Sequence, residues 1–244
     1  PSDLAEREED LLPADTLNDL DGPVPSSRPW TDFPMFYREQ HAGDAGPLTP
    51  DALQRLLGED RRSLHARRAP HVDAHGDHVV LGATGVPIPV TAHAHGGSEC
   101  KGLALVLHPD GRQTVGADDA RTLQEAGWDV LLADVRLRGE LAIRWGLNTV
   151  VWGRPEIGMA VDDIANLLDS RANAYTQVAC VGLGEMGWVA VCAAVMDSRI
   201  TQVLAPGLSP RFLDGPDAVS LPNLLRCGTA DDLLALVAGR LVDV

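Results

Sequence analysis

Gln177-Val178-Ala179-Cys180-Val181-Gly182-Leu183-Gly184-Glu185-Met186-Gly187 runs directly into the apolar stretch Trp188–Met196. A short continuous apolar run, three spaced glycines and a longer apolar run read as strand, tight turn and helix. The glycines have a physical task there, since they permit positive φ and let helix and strand backbones approach closely. A strand apolar on both faces belongs inside a parallel sheet that helices cover on both sides.

The alternation continues in both directions from this unit. Gly102–Leu107 and Asp129–Ala133 read as buried strands, separated by a helix over Ala117–Ala126 that Gly127 ends. A further helix from about Ile157 to Leu168 carries Ile157, Val161, Ile164 and Leu168 on one face. Thr201–Ala205 is a fourth strand, Asp231–Ala238 a helix, and Arg240–Val244 a fifth strand. Upstream, His78–Leu81 and Ile88–Ala94 form an antiparallel pair turned around Gly82-Ala83-Thr84-Gly85. The fold class is therefore α/β, a doubly wound, mostly parallel sheet over residues 78–244.

Residues 1–77 are expected to form an N-terminal arm and a short helix. Residues 1–47 are acidic and rich in Pro, Asp and Ser, so they read as irregular. Trp30, Phe33, Met35, Phe36 and Tyr37 are the apolar cluster that would anchor this arm, with ligand stacking as the alternative. The helix is punctuated clearly: Thr49 caps it, Pro50 takes its first turn, Leu53, Leu56 and Leu57 form its inner face, and Gly58 stops it. Arg61-Arg62-Ser63-Leu64-His65-Ala66-Arg67-Arg68 reads as a solvated basic linker.

The 244 residues carry a formal charge of −15 and are 45% hydrophobic. That balance supports a sizeable core and excludes unaided binding to nucleic acid or an anionic membrane, which needs clustered Lys and Arg. It fits simple solubility first and a neutral ligand second. No apolar run is long enough to span a bilayer. Cys100, Cys180, Cys192 and Cys227 form no CxxC pair and no zinc spacing, so the compartment, cytoplasmic or exported, stays open. No cofactor is implied.

Two readings compete for the glycine turn. As GxGxxG between strand and helix, Gly182, Gly184 and Gly187 match a dinucleotide fingerprint, which would make the chain an NAD-dependent oxidoreductase. The string Val181–Gly187 resembles the opening of the β-hydroxyacid dehydrogenases. In that family the fingerprint begins the chain, and the strand after it ends in an acidic residue for the ribose. Here the next strand runs into Ala205-Pro206-Gly207. The other reading is a strained strand-to-helix elbow of the form small-x-nucleophile-x-small. Gly182 then takes the first small position, Gly184 the nucleophile position and Met186 the second small position, where it is unusually large.

The second reading extends along the chain. Leu105-Val106-Leu107-His108-Pro109-Asp110-Gly111 resembles the third core strand and oxyanion loop of the α/β-hydrolase fold. Gly127–Arg136 resembles its next strand, with the D-x-R-G-x-G-E turn blurred to Asp134-Val135-Arg136-Leu137-Arg138-Gly139-Glu140. Trp152-Gly153-Arg154-Pro155, Gly158-Met159 and Leu221-Pro222-Asn223-Leu224-Leu225-Arg226 are similar to segments of bacterial acetyl xylan esterase-like and dienelactone-hydrolase-like proteins. The resemblance covers about residues 78 to 244. It implies a sheet of α/β-hydrolase type, C-terminally incomplete, whose last strands another segment or a second chain would supply.

The resemblance also implies a serine, an acid and a late histidine. Glycine stands at 184, and all eight histidines lie at or before His108. The degenerate elbow Gly184-Glu185 therefore offers no confident catalytic residue. What remains is oxyanion-type backbone at Asp110, Gly111 and Glu185, able to meet a carbonyl or carboxylate oxygen. The expectation is a non-catalytic domain that binds a saccharide-like ligand or a partner domain. The alternative is an active carboxylic-ester hydrolase completed by a further C-terminal segment or a second chain.

Other candidates are weaker. His71, His75 and His78, with Asp73 and Asp77, form a cluster, and His93 and His95 share a strand face. Imidazole and carboxylate suit zinc, but the spacing matches no established site, and a polar hairpin face is the plainer reading. Ser209 sits near a strand end and reads as a loop residue. Asp162-Asp163 reads as a solvated helix face, and Asp214 and Asp217 as turn residues.

Overall fold

The computed structural model describes residues 46–58, 71–72, 78–81, 86–97, 99–136, 138–142, 155–208, 221 and 224–242. The aromatic cluster at 30–37, the basic segment 61–68, His75, the turn 82–85, Ser209, Asp214 and Asp217 lie outside them.

The strands are β1 (His71–Val72), β2 (His78–Leu81), β3 (Val86–His93), β4 (Gly102–Leu107), β5 (Trp128–Ala133), β6 (Val178–Gly182), β7 (Gln202–Leu204) and β8 (Leu241–Val242). They form one sheet in the order β1-β2-β3-β5-β4-β6-β7-β8. β1, β2 and β3 are antiparallel, and β3 joins β5 antiparallel. From β5 to β8 every pairing is parallel. The exchange of β4 and β5 in the order puts the sequence-central strand β4 between β5 and β6. The sheet starts upstream of the expected boundary at residue 78, because β1 pairs His71 with Val80.

The helices are α1 (Pro50–Leu56), α2 (Ala117–Glu125), α3 (Glu156–Arg171), α4 (Met186–Met196) and α5 (Ala230–Ala235). Strand residues alternate between two cores, as a period of two requires. Leu103, Leu105 and Leu107 of β4 pack with Leu131, Ala133, Val178 and Cys180 under α1, α3, α4 and α5. Val106, Val130, Leu132 and Val181 face the other way, toward Val115, Ala120 and Leu123 at α2. Helices thus cover both faces, which is the doubly wound arrangement.

α1 behaves as its punctuation predicts. The Thr49 side chain accepts from the Ala52 amide at 3.1 Å, and Gly58 leaves the helix at φ 69°. Leu53 and Leu57 are buried in the main core, so this helix is part of the same packed body as the sheet. A Cβ on Gly158 of α3 would collide with the Leu57 carbonyl, which fixes how closely the two helices meet. α4 has no polar face at all; apart from half-buried Val195, its residues are buried, as its uniformly apolar sequence requires. Among the described residues, no helix is long and apolar enough to cross a membrane.

Candidate functional site

The glycine turn sits at the carboxyl end of β6, at the sheet centre, flanked by the loops that follow β4 and β7. A Cβ on Gly182 would strike the Met186 carbonyl and the Gly187 amide. A Cβ on Gly187 would press on Leu208 Cδ1 at 2.8 Å and Ala205 Cβ at 3.0 Å. These two positions are where strand and helix crowd each other. Met186 is accommodated because its side chain enters the main core, while only its carbonyl faces Gly182.

Gly184 stands between them at φ +54°, the left-handed region an elbow imposes on its crest residue. Among the described residues its surroundings are open: a Cβ there would meet only Pro109 Cγ, at 4.0 Å. The turn is held from both sides. The Leu183 amide donates to Leu107 O and the Gly184 amide to Pro206 O, each at 3.0 Å. Two of the amides that a pyrophosphate would need are therefore committed to protein carbonyls. The crest has the backbone and the space of a nucleophile position, and no side chain.

The loop after β4 brings His108, Pro109, Asp110 and Gly111 beside the crest. The Asp110 amide donates to His108 Nδ1 at 3.1 Å, and the Gly111 amide donates to His108 O at 3.0 Å. Pro109 has no N–H to offer. The two loop amides expected to receive a ligand oxygen are thus turned inward onto His108 in this arrangement, a side-chain acceptor the sequence reading did not assign. Glu185 begins α4 and its carboxylate lies 3.3 Å from the Arg138 guanidinium. Directly below the elbow, the space among Arg136, Arg138, Glu156, Ile157, Ala160, Met186 and Val189 is about 10 Å³. That holds about one water molecule and no organic ligand.

An ionic lock ties the two neighbouring loops together. Asp134, 1% exposed at the end of β5, accepts from the Arg112 amide at 2.5 Å, Arg112 Nη1 at 2.7 Å and the Glu140 amide at 3.1 Å. Arg112 Nη2 also reaches Glu140 Oε1 at 2.8 Å. Gly111 and Gly139 must be glycine, because a Cβ on either would meet the opposite backbone or the Asp134 carboxylate, and both have positive φ. The D-x-R-x-x-G-E spacing seen in the sequence is therefore a structural clasp.

A second clasp links the same loop to α3. Asp163 accepts from the Arg136 amide at 2.6 Å and from Arg136 Nε at 2.8 Å, while Arg136 Nη2 donates to Met159 O at 3.0 Å. Asp162 and Asp163 are buried, at 1% and 0% exposure, where a solvated helix face was expected. The reason is tertiary: Arg136 enters from the loop after β5 and brings the charge that lets carboxylates sit there. Burial nonetheless pushes the Asp163 carboxyl up to about 7 against the pull of Arg136.

A different polar group lies at the opposite, amino end of the parallel strands. Asp129 accepts from the His95 amide at 2.7 Å and the Tyr175 hydroxyl at 2.8 Å. The His95 amide, followed by the Tyr175 hydroxyl, holds its carboxyl below the usual carboxylate range despite partial burial. The Tyr175 phenol is pushed up to about 12 by burial and by that carboxylate. His95 Nδ1 lies 2.6 Å from Gln124 O, so that nitrogen carries the proton. His93 ends β3 and His95 lies beyond it, so the two do not form one strand face. His71 and His78 are on the neighbouring hairpin strands. Among the described residues, no three His, Cys, Asp or Glu side chains stand together as a metal site.

No family model matches the chain, and no curated protein matches it. Solved structures do. A provisionally assigned acetyl xylan esterase of Bacteroides fragilis superposes with a TM-score of 0.56 at 11% identity, covering 88% of this chain and 75% of its own. An acetyl xylan esterase from Paenibacillus sp. R4 gives a TM-score of 0.45 at 19% identity, over 79% of this chain and 63% of its own. An esterase from Exiguobacterium antarcticum gives 0.42 at 18% identity, over 65% of this chain and 53% of its own. The chain therefore spans three quarters of the first and less than two thirds of the other two. The first superposition, with the strand order above, establishes an α/β-hydrolase-type fold.

Proposed function

We propose that this chain is an esterase-related hydrolase-fold domain that does no covalent acyl chemistry at its elbow and acts by binding, with a neutral, saccharide-like molecule as its ligand. The observation that carries the reading is Gly184: an elbow crest at φ +54° with room for a side chain and none present. Acyl transfer needs a hydroxyl, thiol or carboxylate at that crest to form the covalent intermediate. The saccharide-like ligand follows the provisionally assigned acetyl xylan esterase on which the chain superposes. The inward-turned amides of Asp110 and Gly111 support the same reading, since a developing oxyanion would have to displace His108 before reaching them. A partner domain docked over the same loops is the second outcome to watch for.

The test uses two measurements on the purified chain. Turnover of p-nitrophenyl acetate is expected at the buffer rate, with no burst and no labelling by a fluorophosphonate. Xylo-oligosaccharides, acetylated and plain, are expected to shift backbone resonances around residues 108–111 and 183–187. Turnover well above buffer that disappears in Glu185→Gln would overturn the proposal.

A further inference from the structure

A cavity of about 130 Å³ opens at the amino ends of β4 and β5, far from the elbow. Leu103 lines it and Leu107 touches the glycine turn, so roughly 13 Å of strand separates the two sites. Its walls are Ala92, His93 and Ala94 at the end of β3, Leu103, Asp129–Leu131, Arg171 at the end of α3 and Tyr175 just beyond it. An apolar floor and a few convergent polar groups are what a small-molecule site is made of. An apolar cavity of about 150 Å³ admits benzene, so this one admits a body of about six non-hydrogen atoms.

The polar groups decide which body. Asp129 is spoken for: one oxygen takes the His95 amide and the other the Tyr175 hydroxyl. Having donated its proton, the Tyr175 oxygen can only accept. Arg171 is different. Among the described residues its guanidinium has no carboxylate partner, and its Nε is buried with no hydrogen-bond partner. A place in the last turn of α3 suits its charge to the helix dipole, but the dipole does not satisfy that N–H. A planar, half-buried guanidinium at the wall of a cavity matches a carboxylate through paired N–H···O bonds.

We infer that this cavity is a binding site for a short-chain monocarboxylate, its carboxylate on Arg171 and its aliphatic part against Ala92, Leu103 and Leu131. Asp129 sets the orientation, because it repels the carboxylate from the Tyr175 side of the cavity. The overall negative charge does not prevent this, since charges farther than about 8 Å are screened at physiological salt. The site is independent of the reading of the elbow.

Butyrate and its neutral isostere butyramide distinguish the alternatives, titrated into the full chain at 0.15 M salt and followed by NMR. Butyrate is expected to shift the Tyr175 ring and Ala92 methyl resonances saturably, with butyramide weaker by about tenfold or more. Arg171→Gln is expected to weaken butyrate by a similar factor while leaving butyramide unchanged. Arg171→Lys keeps the charge but loses the fork, and is expected to fall between. Should the Gln variant fail to fold, the Lys variant and the butyrate-to-butyramide ratio on wild type decide. Equal binding of the two ligands, butyrate binding unaffected in both variants, or shifts confined to the elbow would each overturn the inference.

Discussion

Replacing Asp134 with alanine tests whether the loops beside the elbow are held by the clasp or by packing. The carboxylate accepts two backbone amides and one guanidinium nitrogen, and it is 1% exposed. Its removal leaves the Arg112 and Glu140 amides without an acceptor and Arg112 with only Glu140 as a charge partner. Breaking a buried pair of this kind costs about 3–5 kcal/mol, a large part of an ordinary domain's stability. With a urea dependence of about 2 kcal/mol per M, the unfolding midpoint should fall by about 2 M, read by circular dichroism. Gly139→Ala provides an internal check. In the wild type its methyl group would land on the Asp134 carboxylate, whereas in Asp134→Ala those three nearest contacts are gone and the positive-φ strain of about 1 kcal/mol is kept. The two substitutions should therefore be strongly non-additive. A midpoint shift below about 0.5 M for Asp134→Ala, or strict additivity with Gly139→Ala, would refute the clasp.

Two further outcomes follow from the same structure. Because Asp163 holds a proton in the folded state up to about pH 7, which the unfolded chain releases near pH 4, the stability of wild type relative to Asp163→Asn should fall as pH rises from 5 to 7.5. The slope is at most about 1.4 kcal/mol per pH unit in urea melts, and a flat or rising difference would contradict it. Cys100 is exposed while Cys180, Cys192 and Cys227 are buried, the Cys180 thiol pushed up to about 12 by burial. One thiol should react with iodoacetamide in the native chain and all four after unfolding, counted by mass spectrometry.

The layered architecture was legible because it is written in local patterns. Continuous apolar runs such as Gly102–Leu107 gave buried strands, and Thr49, Pro50 and Gly58 marked a helix that forms as read. The turn at 182–187 was legible as a turn, although the crowded positions proved to be Gly182 and Gly187 and not Met186. The charge clasps were not legible as such. Asp163 and Arg136 are 27 residues apart and Arg112 and Asp134 are 22 apart, and nothing in the helix pattern of Asp162-Asp163 announces a buried partner. The amino-end cavity was hidden for the same reason: Asp129 lies 46 residues from Tyr175, and no motif joins it to the stretch that holds Arg171 and Tyr175.

The geometry of the elbow now has a cause that does not involve chemistry. Leu183 and Gly184 donate to carbonyls on the flanking loops, Gly182 lets the Met186 carbonyl sit against the strand end, and Gly187 lets α4 lie on Ala205 and Leu208. The loop after β4 that receives the Leu183 bond is clasped to the loop after β5 through Arg112 and Asp134, and that second loop is clasped to α3 through Arg136 and Asp163. Each restraint acts on backbone positions around residue 184 and none touches a side chain there. A glycine at the crest avoids the roughly 1–2 kcal/mol that an L side chain costs in the left-handed region. The scaffold therefore holds the elbow backbone in place on packing and charge alone.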